Sequence, residues 1–196
     1  MKLELSFYQK SRVTRIAQQL LGKLLFSKIN NCLTSGMIVE TEAYSETEKG
    51  SHAHRGKTRR NEVMFGEGGV AYVYLCYGVH EMFNVVTNVA NKADAILIRA
   101  LQPMAGADLM MKRMKVDSMK RITSGPGKLT KAMGIGRKLN GISLRSDEIW
   151  IEDCGVNIKP KEIVTTPRIG IDYAGKDAQL PWRYFIKENV WVSKLK

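Results

Sequence analysis

Apolar positions change their period several times along the chain, and each change marks an expected element. Val13, Ile16, Leu20, Leu21, Leu24 and Leu25 recur at helical spacing, which predicts a core-packing helix ending between Gly22 and Leu24, with Ser11 or Thr14 as its cap. From Gly36 the run MIVETEAY begins as an apolar strand and then turns acidic. The polar segment from Ser45 to Asn61 has no period and reads as a loop. In VAYVYLCYGVHEMFNVVTNVA, β-branched and aromatic residues crowd together, and Tyr72, Tyr74 and Cys76 fall at period two. Two strands joined over Tyr77 to His80 are expected there. AILIRAL reads as a buried strand, and the Met- and Lys-rich segment after Gly106 as a helix with a basic face. SGPGKL, Ser124 to Leu129, reads as the opening of another helix. SLRSDEIWIED and EIVTTPRIGI read as short strands before a terminal PWRYFIKENVWVS. Strands and helices mixed in this order, without repeats or a Pro-rich linker, predict an α+β fold rather than a doubly wound sheet.

Composition narrows the picture. A chain of 196 residues suits one domain, taken here as residues 1–196. Its 44% hydrophobic and 26% charged content is that of a globular protein. No apolar run is long enough to span a bilayer, so no membrane partner is expected. The start MKLELSFYQK lacks the charged and apolar regions of a signal peptide, which leads to the expectation of a cytoplasmic protein. Cys32, Cys76 and Cys154 are scattered and odd in number, so reduced thiols are expected rather than a disulfide framework or thiolate metal site.

The formal net charge of +12 is more informative, because excess Lys and Arg suits a polyphosphate ligand. Between Met104 and Asn140, nine basic residues (Lys112, Arg113, Lys115, Lys120, Arg121, Lys128, Lys131, Arg137 and Lys138) face only Asp108 and Asp117. Nucleic acid therefore leads the candidate partners, with a merely solvated charged surface as the plain alternative.

Several side chains are candidates for chemistry. Glu40 and Glu42 alternate on a strand, so they share a face with Thr41 opposite. Such a pair suits acid/base work or a metal, with a structural role for one of the two as the alternative. His52 and His54 have a spacing compatible with zinc, but no third ligand lies nearby; contact with a phosphate or base, or a plain surface loop, are the other readings. Tyr44, Tyr72, Tyr74 and Tyr77 offer faces on which bases stack, with core packing as the alternative, preferred for Tyr72. Tyr77, before Gly78 at a hairpin tip, suits an exposed wedge. SGPGKL can offer backbone N–H groups and Lys128 to a phosphate, or be a simple capping turn.

Taken in order, VETEAY, SHAHRG, RRNEVMF, YVYLCYG, FN, ILIRALQP, SGPGKL and RIGI resemble the alkyladenine, or 3-methyladenine, DNA glycosylase family along nearly the whole chain. The resemblance implies one α+β domain with a curved antiparallel sheet, flanking helices and a protruding hairpin that enters the DNA minor groove. It implies monofunctional base excision repair on 3-methyladenine, 7-methylguanine, hypoxanthine and ethenoadenine. By resemblance, Glu42 is the general base, and Arg99 helps to hold the attacking water. Tyr44, His52 and Tyr74 wall the base pocket. Tyr77 fills the gap in the duplex, and Asn84 crowds the amino group of a normal guanine. Arg60 and Lys128 are taken as contacts to the DNA backbone. Two positions depart from the family pattern: Arg59 stands where Pro is frequent, and His54 where bacterial relatives often carry an aromatic residue.

The expected partner is double-stranded DNA holding a damaged purine, met by a monomer at the nucleoid if the source is bacterial. No cofactor or metal is expected. An ionised Glu42 would stabilise positive charge on the sugar and take a proton from water. The alternatives are a non-catalytic nucleic-acid-binding domain, whose tyrosines stack on exposed bases, and a metal-dependent nuclease built on Glu40, Glu42 and His52.

Overall fold

The computed structural model describes residues 1–10 and 12–194. Two short helices, α1 (Leu5–Tyr8) and α2 (Val13–Gln19), lead into strands β1 (Leu24–Ile29) and β2 (Cys32–Tyr44). Then come β3 (Ala71–Cys76), β4 (His80–Thr87), β5 (Asp94–Ala105), helices α3 (Ala107–Met114) and α4 (Pro126–Met133), and strands β6 (Ile149–Glu152), β7 (Ile163–Thr166) and β8 (Arg183–Ile186). All pairings are antiparallel, in the order β3-β4-β5-β2-β1-β6, while β8 joins β2 to β7. The sheet curls strongly into a half-barrel, which makes the fold a single α+β domain as expected.

The alternation of side chains along the central strands separates core from site. Thr41, Ala43, Val73, Phe83, Val85, Ile96 and Ile98 are buried at alternate positions. Most join a core with Ile16, Ala17 and Leu20 of α2 and with Met110, Leu129, Ala132 and Met133 of α3 and α4. The intervening residues, Glu42, Tyr72, Asn84 and Leu97, point to the opposite face.

Four sequence expectations are corrected. The first long helix stops at Gln19, and Leu24 and Leu25 belong to β1. Those leucines satisfy a helical period by coincidence; Leu25 is fully buried by strand alternation. Of the two proposed caps, Ser11 lies outside the described residues, and Thr14 lies inside the helix, whose N-cap is Arg12 without a side-chain capping bond. The strand expected from Gly36 begins at Cys32, and RIGI is not a strand: β7 ends at Thr166.

Strand β2 changes neighbours along its length. Leu33 to Met37 pair with β1, whereas Glu40 to Glu42 pair with β8. Register shifts against β5 fall between Ile38 and Thr41, where the exchange takes place. This irregularity re-aims side chains at the curl of the sheet, as bulges do beside functional sites.

Candidate active site

Register alone assembles the centre. Tyr72 lies opposite Asn84, Asn84 opposite Leu97, Leu97 opposite Glu42, and Glu42 opposite Arg183, one row across five strands. Directly opposed residues share a face, so all five side chains come to one side of the sheet. A cavity of about 490 Å³ opens there, with Tyr44, His52, Arg60, Tyr72, Tyr74 and Asn84 among its walls.

Glu42 is completely buried. Its Oε2 accepts hydrogen bonds from the Tyr44 hydroxyl at 2.9 Å and from Arg99 Nη1 at 3.1 Å. Its Oε1 accepts the Ile169 backbone N–H at 2.8 Å. Every partner is a donor, the environment that suits an acceptor-only carboxylate. Burial works against the charge of Arg99, but the Glu42 and Glu40 carboxylates outweigh it and hold the guanidinium more firmly protonated than usual. Burial first, and the Glu42 charge second, push the Tyr44 hydroxyl well up, so it remains a donor.

Glu40 shares this face but has another task. Its Oε1 accepts bonds from Arg99 Nε at 3.1 Å, Arg183 Nε at 2.7 Å and the Ser193 hydroxyl at 2.7 Å, and its Oε2 accepts the Ser193 N–H at 2.8 Å. Glu40 thus fixes Arg99, which in turn fixes Glu42. The two carboxylates do not form an acid/base pair, and arginines already occupy the oxygens that a metal would need. Thr41 faces the other way, donating its hydroxyl to the Ala17 carbonyl at 2.9 Å.

The other wall is aromatic. The His52 ring lies 4.5 Å from that of Tyr74, and its Nδ1 is 2.9 Å from the Tyr72 hydroxyl. Burial, helped by the charge of Arg60, lowers His52 to about 4. Its ring is therefore neutral near pH 7. Burial pushes the Tyr72 hydroxyl up to about 12. Tyr72, read from sequence as core, is both: it is buried, and it lines the cavity. Asn84 donates Nδ2 to the Tyr72 carbonyl at 3.2 Å. His54 is exposed and does not converge with His52; among the described residues no group of three or more His, Cys, Asp or Glu side chains gathers in a metal-binding arrangement.

Above the cavity stands the β3–β4 hairpin. Tyr77 is 88% exposed and Val79 70%. Tyr77 and Gly78 both take left-handed φ values, 50° and 71°, in a turn closed by the Val79 N–H on the Cys76 carbonyl. A bulky residue held in that region costs energy, which the turn tolerates at an exposed tip. SGPGKL packs beside the hairpin, since a Cβ on Gly127 would stand 2.9 Å from His80 Cγ. This gives His80 a packing role that its sequence context lacked. Pro126 opens α4 and lines the cavity, and Lys128 is exposed on the same helix. Not all of the basic stretch faces outward: Arg113 donates to the Ala132 carbonyl at 3.0 Å, tying α3 to α4.

Sequence reasoning missed several contributors. Ile169 acts through its backbone N–H, which no residue type advertises. Arg168 is buried, donates to Glu48 Oε1 at 2.6 Å and Oε2 at 2.9 Å, and lies 4.7 Å from the Tyr44 ring. It thereby anchors the loop that carries Ile169. Tyr173 lines the cavity from the segment after RIGI, its hydroxyl 3.3 Å from the Gly50 carbonyl.

Comparison with known proteins places this chain among the DNA glycosylases as a class. A family model described as Methylpurine-DNA glycosylase (MPG) matches residues 6–190. Proteins named "Putative 3-methyladenine DNA glycosylase" are 46% identical over 194 residues in Carboxydothermus hydrogenoformans, covering 99% of this chain and 100% of the relative. Another, from Methanoculleus marisnigri, is 43% identical over 196 residues, with 99% and 100% covered. A third, from Chlamydia felis, is 42% identical over 193 residues, with 96% and 97% covered. The chain belongs to the methylpurine-DNA glycosylase family.

Proposed function

We propose that residues 1–196 act as one monomeric glycosylase domain that flips an alkylated or deaminated purine out of duplex DNA and hydrolyses its N-glycosidic bond. The observation that carries this reading is the hydrogen bonding of Glu42. A carboxylate has about four acceptor sites. Tyr44 and Arg99 take two on Oε2, and Ile169 takes one on Oε1, which leaves one site on Oε1 for a water. As the bond to the base breaks, positive charge grows on the sugar. Glu42 stabilises that charge and removes a proton from the attacking water. The water oxygen joins the anomeric carbon, the base leaves with the bonding pair, and an intact abasic site remains.

Tyr74 and His52, packed edge to face against each other, form one aromatic wall for the flipped base, and Tyr44 closes the wall nearest Glu42. Asn84 stands where the amino group of a normal guanine would intrude. Tyr77 enters the duplex and replaces the lost stacking. Lys128 flanks this surface and meets the DNA backbone, while Arg60 stands on the cavity wall beside Tyr74. 3-Methyladenine, 7-methylguanine, hypoxanthine and ethenoadenine are the proposed substrates. The enzyme works where the DNA is, in the cytoplasm, and at the nucleoid if the source is bacterial. The test is incubation with duplexes containing 7-methylguanine or hypoxanthine, with and without EDTA. Free base and alkali-labile sites in both conditions are the expected products; cut strands without free base, seen only when EDTA is omitted, would point to a metal-dependent nuclease, and binding without release to a non-catalytic module.

A further inference from the structure

Among the described residues, Arg60 is one of two charged side chains on the cavity wall, and the other, Arg99, is paired with Glu40 and Glu42. Among the same residues no Asp or Glu lines the cavity. Beneath it, the charges of Glu40 and Glu42 are balanced by Arg99 and Arg183, so this cluster is neutral as a whole. Arg60 has no ion-pair partner among the described residues, and its guanidinium carbon lies 5.5 Å from the Tyr74 ring centroid. Its position is built rather than incidental. The next residue, Asn61, is buried and makes four hydrogen bonds, to Thr58 N and Oγ1 and to the His52 and Gly56 carbonyls. The backbone of Arg60 is therefore clamped to the loop that carries His52.

From this geometry we propose that Arg60 is a specificity-determining residue, whose uncompensated charge biases the cavity toward neutral bases and against bases that carry positive charge. The inference rests on the base-excision reading above. In free protein, water screens the exposed guanidinium. Once DNA covers the cavity mouth, the same charge acts through a medium of lower dielectric. Tyr74 transmits part of the bias: an aromatic face already engaged by one cation holds a second one less well.

The test uses two duplexes that differ only in the base, cationic 7-methylguanine or neutral hypoxanthine, each on a 2′-fluoro sugar that resists hydrolysis. Kd is measured for both, and for undamaged duplex, at one fixed salt concentration. Arg60 is exposed, so R60Q and R60K should fold. In R60Q the affinity for 7-methylguanine relative to hypoxanthine should rise about threefold, the scale of an exposed cation–π contact. R60K, which keeps the charge, should restore the wild-type ratio. If R60Q weakens both duplexes equally, Arg60 only grips the backbone and the proposal falls. If R60K behaves as R60Q does, the shape of the guanidinium matters rather than its charge, and the proposal falls as well. If wild-type protein fails to prefer either lesion over undamaged duplex, the base-excision reading itself fails, a result distinct from both.

Discussion

Tyr44 donates its hydroxyl to Oε2 of Glu42 at 2.9 Å from two residues further along the same strand. Strand periodicity puts the two side chains on one face, so this bond comes from the local sequence rather than from a distant loop. Together with Arg99 it saturates Oε2, and Oε1 accepts the Ile169 N–H. Tyr44→Phe removes the bond while preserving the ring. Single-turnover excision should slow by roughly tenfold, in keeping with about 1.5 kcal/mol for a bond to a charged group, with DNA affinity nearly unchanged. An unaltered rate would mean that Arg99 and Ile169 position the carboxylate alone.

Glu42→Gln keeps the shape of the site and removes the base. The excision rate should fall at least about 100-fold, the lower range for general-base catalysis, while the variant still binds lesion DNA. Near-normal single-turnover rates would move the base to another residue.

Glu40→Gln tests the layer beneath. The buried carboxylate answers both Arg99 and Arg183, so its loss leaves buried positive charge uncompensated. A destabilisation of about 3 kcal/mol is expected, seen as a Tm lower by roughly 6–12 °C in a chain of this size. Excision should also slow, because Arg99 is no longer held. A Tm within a degree or two of wild type would show that the Ser193 contacts and relaxation suffice.

Much of this arrangement was legible in the sequence because it follows from period-two alternation. Glu42, Tyr44, Tyr72 and Tyr74 sit on strands whose hydrophobic pattern fixes their face, and the resemblance named Arg99, His52 and Asn84. Other parts were hidden for physical reasons. The Ile169 N–H is a backbone group, and RIGI looks like a strand because its apolar residues line the cavity without pairing. Strand alternation alone does not tell Glu40 from Glu42; the resemblance singled out Glu42, and the arrival of β8, bringing Arg183 opposite Glu42 and within reach of Glu40, shows how Glu40 is tied up by arginines. Leu24 and Leu25 fit both a helix and a strand, and tertiary pairing with β2 and β6 decided for the strand.

Tyr77→Ala should act on flipping and spare the choice of base. The side chain stands at an exposed tip and packs no core, so stability should change little. The fluorescence of a flipped ethenoadenine should report a lower flipped fraction, with discrimination between hypoxanthine and guanine preserved. An unchanged flipping equilibrium would make Tyr77 an ordinary turn residue.

The pH dependence separates the leaving groups and assigns His52. 7-Methylguanine already carries positive charge and departs without further protonation, whereas hypoxanthine is neutral and must gain a proton as its bond breaks. Rates for hypoxanthine should therefore show a basic limb in pH that those for 7-methylguanine lack. That limb has two candidate sources, the base itself or a pocket group such as His52. Burial and Arg60 hold His52 at about 4, so its proton is gone well below neutral pH and its titration cannot produce that limb. His52→Gln should keep the basic limb for hypoxanthine even if the overall rate drops through lost packing against Tyr74. The same depressed value fixes the sign of a stability effect. The unfolded ring, near its ordinary 6.5, binds protons more readily than the folded one, so neutral His52 favours folding fully above about pH 6.5. That contribution, about 3 kcal/mol at most, is lost as pH falls toward 4. Wild-type Tm should therefore drop more steeply than that of His52→Gln between those limits. Parallel Tm curves would show that His52 titrates like a solvated imidazole, and disappearance of the basic limb in His52→Gln would make His52 the acid.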